Sequence, residues 1–178
     1  MRQTLIIYST TDGQTQKICK RLTQAFDTSK LVSMVDVENE KLTDYDQIVI
    51  GASIRYGKHQ PAVYQFIDKN KALLAGTKTA FFSVNVVARK PEKSAPENNP
   101  YMQKFLELSG WKPDILAVFA GKLNYPQYQF MDKLMIRLIM YMTKGPTDTS
   151  QTYEFTDWAK VDEFASTLAK QKVGTLGE

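Results

Sequence analysis

The sequence holds one cysteine, Cys19, and one histidine, His59. A lone cysteine cannot close an intrachain disulfide, and the two residues together fall short of the ligand set of a structural zinc site. A chain without disulfides suits a reducing compartment. Long hydrophobic runs are missing as well. The apolar stretch in MRQTLIIYST breaks after about five residues, too few for the core of a secretion signal or for a bilayer span. A cytoplasmic protein is the expectation. There is also no block of like charge of the kind that makes a nucleic-acid arm. The 23 Lys and Arg are interspersed with 19 Asp and Glu, leaving a formal charge of +4, and nucleic acid is not an expected partner. No repeat, Gly/Ser linker or low-complexity block divides the 178 residues, so they read as one domain, long enough for a real core.

What is present is alternation. TLIIYS (4–9) is a short, β-branched, nearly all-apolar run, the pattern of a strand covered on both faces. Helical spacing follows over 15–26, with Ile18, Leu22, Ala25 and Phe26 on one side and Lys17, Lys20, Arg21 and Gln24 on the other. Cys19 lies beside Ile18 and Leu22 and reads as a small core hydrophobe. Further strands are expected at 31–37, 46–52, 78–85 and 115–121, with helices at 63–74, 101–109 and 158–170, the last entered through the N-cap pair Thr156-Asp157. Strands alternating with helices give an α/β fold, a doubly wound parallel sheet of five strands with helices on both faces. In such folds ligands bind beyond the carboxyl ends of the strands, where the strand order reverses. The segment 122–152 is longer than an ordinary connection and reads as an insertion with a function or an element of its own.

Directly after the first strand comes Ser9-Thr10-Thr11-Asp12-Gly13-Gln14-Thr15, and the amphipathic helix starts at once. A hydroxyl-rich turn at a helix N-terminus presents free N–H groups and the positive end of the helix dipole to an anion. With a single glycine, neither G-x-G-x-x-G nor G-x-x-x-x-G-K-[ST] can be written, which disfavours dinucleotides and nucleoside triphosphates and leaves a monophosphate. The turn resembles the flavodoxin phosphate loop, T-x-T-G-x-T, with Thr10, Gly13 and Thr15 on matching positions. Asp12 departs from it. A carboxylate beside a phosphate dianion is unfavourable unless it points away, for example to cap the helix.

The segments STTDGQT, VIGASIRYGKHQPA, FFSVNVVARKPEK and TDW resemble the quinone-dependent protoporphyrinogen IX dehydrogenases of bacterial haem synthesis, a family of flavodoxin-like flavoenzymes, over most of the chain from Thr4 to Ala169. The resemblance implies strand order 2-1-3-4-5, a long insertion interrupting the last strand, and FMN as cofactor. It implies cofactor contacts from Ser9, Thr10, Thr11, Asp12, Gly13, Gln14 and Thr15; from Ser53, Ile54, Arg55, Tyr56 and Gly57; from Ser83, Val84, Asn85, Val86, Val87 and Ala88; and from Gly121, Asn124 and Tyr125. Ile54 and Tyr56 can each cover a flat ring, and the sequence leaves open which does. Backbone groups after the fourth strand, with the Asn85 amide, are expected at the polar edge of the flavin.

Arg55, Lys58, Arg89, Lys90 and Lys93 are candidates for the two propionates of protoporphyrinogen, since Arg offers a bidentate fork to carboxylate. The plainer reading is a solvated basic rim. His59 is a weak candidate as proton acceptor, set against an incidental surface histidine.

In the insertion, ten of the thirteen residues from Phe130 to Met142 are apolar, and 122–144 carries four Lys or Arg against one Asp. A helix of that length spans ~20 Å at ~1.5 Å per residue, short of the ~30 Å hydrocarbon core. With Lys133, Arg137 and Lys144 in a stripe and Phe130, Met131, Leu134, Met135, Leu138 and Met142 opposite, it reads as a helix lying in an anionic membrane surface or receiving a quinone. Burial against its own domain or in a homo-oligomer is the alternative. The expected activity is oxidation of protoporphyrinogen IX with menaquinone or ubiquinone as acceptor, at the cytoplasmic face of the inner membrane. The alternatives are a flavodoxin-like electron carrier, an FMN-dependent quinone reductase, or an interfacial protein without flavin; the positive charge argues against a carrier, which usually presents an acidic surface.

Overall fold

A computed structural model describes residues 3–171. Its centre is a five-stranded parallel sheet, β1 (Thr4–Ser9), β2 (Ser29–Ser33), β3 (Gln47–Ser53), β4 (Lys78–Val84) and β5 (Ile115–Phe119), in the order β2-β1-β3-β4-β5. Period-two alternation sorts the buried side chains between two cores. Leu5, Ile7, Ile48, Ile50 and Phe81 face one side with Val63 and Ile67 of α2 (Pro61–Lys69) and Met102 and Phe105 of α4 (Pro100–Ser109). Ile6, Val49, Ala80 and Phe82 face the other with Ile18 and Leu22 of α1 (Gln14–Thr23) and Phe164 and Leu168 of α6 (Trp158–Lys170). Gly51 is required by this packing: a Cβ there would stand 2.2 Å from the Phe82 ring.

The chain moves from β1 outward to β2 and returns past β1 to β3, so the sheet reverses its winding between β1 and β3. The carboxyl ends of those two strands and of β4 open a crevice, the position at which doubly wound sheets bind ligands.

Several boundaries differ from expectation. The second strand ends at Ser33: Met34 N–H still reaches Tyr8 O at 2.8 Å, and a Ser33–Asp36 turn then stops the pairing. The helix expected over 63–74 starts earlier and is two, α2 and α3 (Lys71–Ala75), divided at Asn70, whose side chain donates to Phe66 O at 2.8 Å. The first helix stops at Thr23, whose hydroxyl bonds back to Lys20 O at 2.8 Å.

The segment after β5 closes on itself. β6 (Lys122–Asn124) pairs antiparallel with β7 (Thr152–Glu154), so the returning strand lies against β6 and outside the five-stranded sheet. Above that base stands α5 (Phe130–Met142), whose inner residues Ile136 and Met140 pack with Leu123, Tyr125 and Tyr128. The fully buried Tyr125 donates its hydroxyl to Pro146 O at 2.8 Å, tying the start of the segment to its far side.

Candidate functional site

A cleft of about 810 Å³, counting its solvent-open part, lies at the carboxyl ends of β1, β3 and β4 beneath α5. Its walls are Thr10, Asp12, Gln14 and Thr15; Ser53 to Gly57; Val84 to Val87; Tyr101; Gly121, Lys122, Leu123 and Tyr128; and Ile136, Ile139 and Met140 of α5. Loops distant in sequence thus meet around one volume.

The first loop turns on Gly13, the α1 N-cap, at φ +86°, where a side chain would be strained. Its N–H donates to Thr10 Oγ1 at 2.9 Å. Thr15 Oγ1 is buried and has no partner, and the same holds for Ser53 Oγ at the end of β3. A buried hydroxyl without a hydrogen bond costs ~1–3 kcal/mol, so two of them on one cleft mark positions built for a polar ligand. Asp12 does not cap α1; its carboxylate accepts from Arg55 Nη1 at 3.0 Å. Ser9 and Thr11 stand outside the lining, Ser9 donating to Gln60 Oε1 at 2.9 Å.

The second loop is a two-residue hairpin. Arg55 and Lys58 exchange backbone hydrogen bonds of 3.0 and 3.3 Å across Tyr56 at φ 52° and Gly57 at φ 79°, the mirror-image turn that suits the strand twist. A tyrosine held at positive φ is strained backbone. The Tyr56 hydroxyl bonds the Asp132 carboxylate on α5, which raises the phenol pKa. Ile54 and Tyr56 both line the cleft.

In the third loop Asn85 lines the cleft. Its amide is fully engaged: Oδ1 accepts from Ala88 N at 3.0 Å and Asn99 Nδ2 at 3.2 Å, while Nδ2 donates to Ser83 Oγ at 3.2 Å and Asn99 Oδ1 at 3.4 Å. The side chain ties the loop to Ser83, Ala88 and Asn99. Ser83 and Ala88 are buried outside the lining, as is Tyr125; Asn124 takes the Thr152 hydroxyl at 3.0 Å.

Of the five candidate cations only Arg55 lines the cleft. Arg89 is engaged elsewhere, with Nη1 on Val86 O at 3.1 Å and Nη2 on Thr143 O at 3.0 Å, and burial lowers its pKa. Lys58, Lys90 and Lys93 stand away from the walls. The expectation of a surface histidine is corrected. His59 is 2% exposed, ringed by Tyr64, Phe81 and Phe105, and paired with Ser83 Oγ at 3.0 Å; burial lowers its pKa to about 4. It does not line the cleft.

The apolar surface of α5 is divided. Ile136, Ile139 and Met140 turn inward, while Phe130, Met131, Leu134, Met135, Leu138, Tyr141 and Met142 are exposed, Phe130 at 78%. At ~100° per residue Lys133 and Arg137 fall on a border between the two arcs, so the cations flank the outer apolar face. Lys144 lies past the C-cap Thr143 at φ 55°, off the helical stripe. No helix among the described residues is long and apolar enough to cross a membrane.

Sequence reasoning did not place Tyr101, Lys122, Leu123, Tyr128, Ile136, Ile139 and Met140 at the site. The three- and four-residue spacing of the last three marks an apolar arc of α5, but spacing cannot say which arc turns inward.

A doubly wound sheet in the order 2-1-3-4-5, with three loops meeting at the reversal of winding, defines a flavodoxin-like protein. Residues 5–150 match the model of the flavodoxin domain. Oxidised flavodoxin 1 from Bacillus cereus superposes with a TM-score of 0.56 over 96% of this chain and 99% of that one at 15% identity, a likeness of fold. Protoporphyrinogen IX dehydrogenase (quinone) of Escherichia coli strain K12 is 46% identical over 94% of both chains. The protein of the same name from Leishmania major is 41% identical over 93% of this chain and 74% of that one. The chain belongs to the flavodoxin domain family, in the branch of the protoporphyrinogen IX dehydrogenases (quinone).

Proposed function

We propose that the protein oxidises protoporphyrinogen IX to protoporphyrin IX in haem biosynthesis, with FMN as cofactor and a membrane quinone, menaquinone or ubiquinone, as acceptor. The observation that carries the reading is the 46% identity over 94% of the chain to a dehydrogenase of that name. The cleft agrees with FMN: its first loop offers a helix N-terminus, Thr10 and the unpartnered Thr15 hydroxyl to a phosphate, while Ser53 Oγ and apolar walls stand further along. Bound FMN would supply the redox chemistry, taking six electrons in three two-electron steps.

The chain's own residues bind and shield. Thr10, Thr15 and the loop N–H groups would hold the phosphate, Ile54 and Tyr56 would cover the ring, and the backbone of 84–87 would face its polar edge. Ile136, Ile139 and Met140 close the cleft from above, an apolar and deformable surface suited to a flat tetrapyrrole or quinone and able to exclude water. No side chain on this cleft is assigned as proton acceptor, and the buried His59 is removed from that role.

The exposed arc of α5, bordered by Lys133 and Arg137, supports peripheral attachment to the anionic cytoplasmic face of the inner membrane, where the quinone resides. The purified protein should release FMN on heating. Its flavin should be reduced anaerobically by protoporphyrinogen and reoxidised by menaquinone or ubiquinone; a bound flavin that protoporphyrinogen leaves oxidised would reduce the protein to an electron carrier.

A further inference from the structure

The first loop contains a contradiction that the structure resolves. A loop that offers Thr10 and an unpartnered Thr15 hydroxyl to a phosphate also carries a carboxylate, Asp12, on the same wall. At neutral pH a phosphate monoester bears between one and two negative charges, so a neighbouring carboxylate repels it. Asp12 accepts instead from Arg55 Nη1 at 3.0 Å and from the Tyr128 hydroxyl at 3.4 Å. Arg55 also approaches Asp132 Oδ2 at 3.7 Å, and its guanidinium carbon lies 5.0 Å from the Tyr128 ring centroid and 5.6 Å from that of Tyr56. It is thus held among Asp12, Asp132, Tyr128 and Tyr56, and its planar fork suits that position.

We propose that Arg55 is a positioning residue of the cofactor loop: it acts through Asp12, neutralising that carboxylate so that the loop accepts a phosphate dianion, and it is not a ligand for the substrate's carboxylates. The inference rests on the reading that the cleft holds FMN. The pairing also explains how a carboxylate is tolerated where the resembling loops carry a hydroxyl. Because the same guanidinium faces Asp132 on α5, the charge balance of the phosphate loop is linked to the helix that roofs the cleft.

The test is a titration of apoprotein with FMN and with riboflavin, which lacks the phosphate, read by flavin fluorescence quenching. The proteins are wild type, Arg55→Gln, Asp12→Asn and the double variant, each checked by its melting temperature. Arg55→Gln should weaken FMN by about tenfold or more at low salt and by less at high salt, while riboflavin changes little. Asp12→Asn should not weaken FMN, and the double variant should recover most of what Arg55→Gln loses. Equal losses for FMN and riboflavin, or a double variant no better than Arg55→Gln, would reduce Arg55 to a structural clasp and overturn the proposal. A rise confined to the KM for protoporphyrinogen at saturating FMN would return it to the substrate. Wild type that binds neither flavin would instead overturn the cofactor reading itself.

Discussion

Arg89 donates from Nη2 to the carbonyl oxygen of Thr143 at 3.0 Å, fastening the loop after β4 to the C-terminal end of α5. A cation there also meets the negative end of the helix dipole. At the other end of α5, Asp132 takes the Tyr56 hydroxyl and stands near Arg55. The roof of the cleft is therefore pinned at both ends, to two different loops of the cleft. The two arginines that looked like substrate ligands in the sequence hold the site together.

Arg89→Ala should free the C-terminal end of α5. Losing hydrogen bonds from a charged donor costs ~1.5–3 kcal/mol. Limited proteolysis should then cut within 122–152 faster than in wild type, with the rest of the domain intact.

Thr15→Val should separate stability from function. Its hydroxyl is buried without a partner, so removing it should leave apoprotein stability equal or higher. FMN binding should weaken about tenfold, one net hydrogen bond, in fluorescence titration. A loss of apoprotein stability would show that the hydroxyl has a partner in the folded chain.

His59 should make stability fall with acid. Burial holds its pKa near 4 against an ordinary 6.5, so the unfolded chain binds the proton more readily. The stabilisation is complete above pH 6.5 and drains away as pH falls toward 4, by roughly 3 kcal/mol at ~1.4 kcal/mol per unit. Urea unfolding of His59→Gln across that window should show a flatter pH profile than wild type.

Gly51→Ala should destabilise the sheet, because its Cβ would meet the Phe82 ring at 2.2 Å. Overpacking of this kind costs ~1–3 kcal/mol. The urea midpoint should drop with little change in slope.

Leu134→Glu with Leu138→Glu should abolish sedimentation with anionic liposomes while FMN stays bound, since both side chains belong to the outer arc of α5. If the double variant still sediments and instead elutes as a smaller species in gel filtration, the arc is an interface between two copies of the chain.

Much of the fold was legible because its signals are local. The short apolar runs TLIIYS and DQIVIGA mark strands whose neighbouring side chains enter opposite cores, and the N-cap pair Thr156-Asp157 marked the start of α6. Breaks made by one side chain, as at Asn70 and Thr23, were missed because the competing bond to a carbonyl is weak in sequence and specific in space. The place of the first loop at the cleft was readable because strand, turn and helix N-terminus follow one another. The roof was not, since Ile136, Ile139 and Met140 reach the cleft only after β6 and β7 have folded the segment back.

By itself the sequence determined the α/β class, the position of the binding edge and the amphipathic character of α5, all consequences of periodicities that the backbone imposes on neighbouring residues. Tertiary structure alone decided what the charges do. Which carboxylate faces Arg55, which carbonyl takes Arg89 and whether His59 meets water depend on partners scattered along the chain, and charge energetics are set by distance and burial, which residue spacing does not encode.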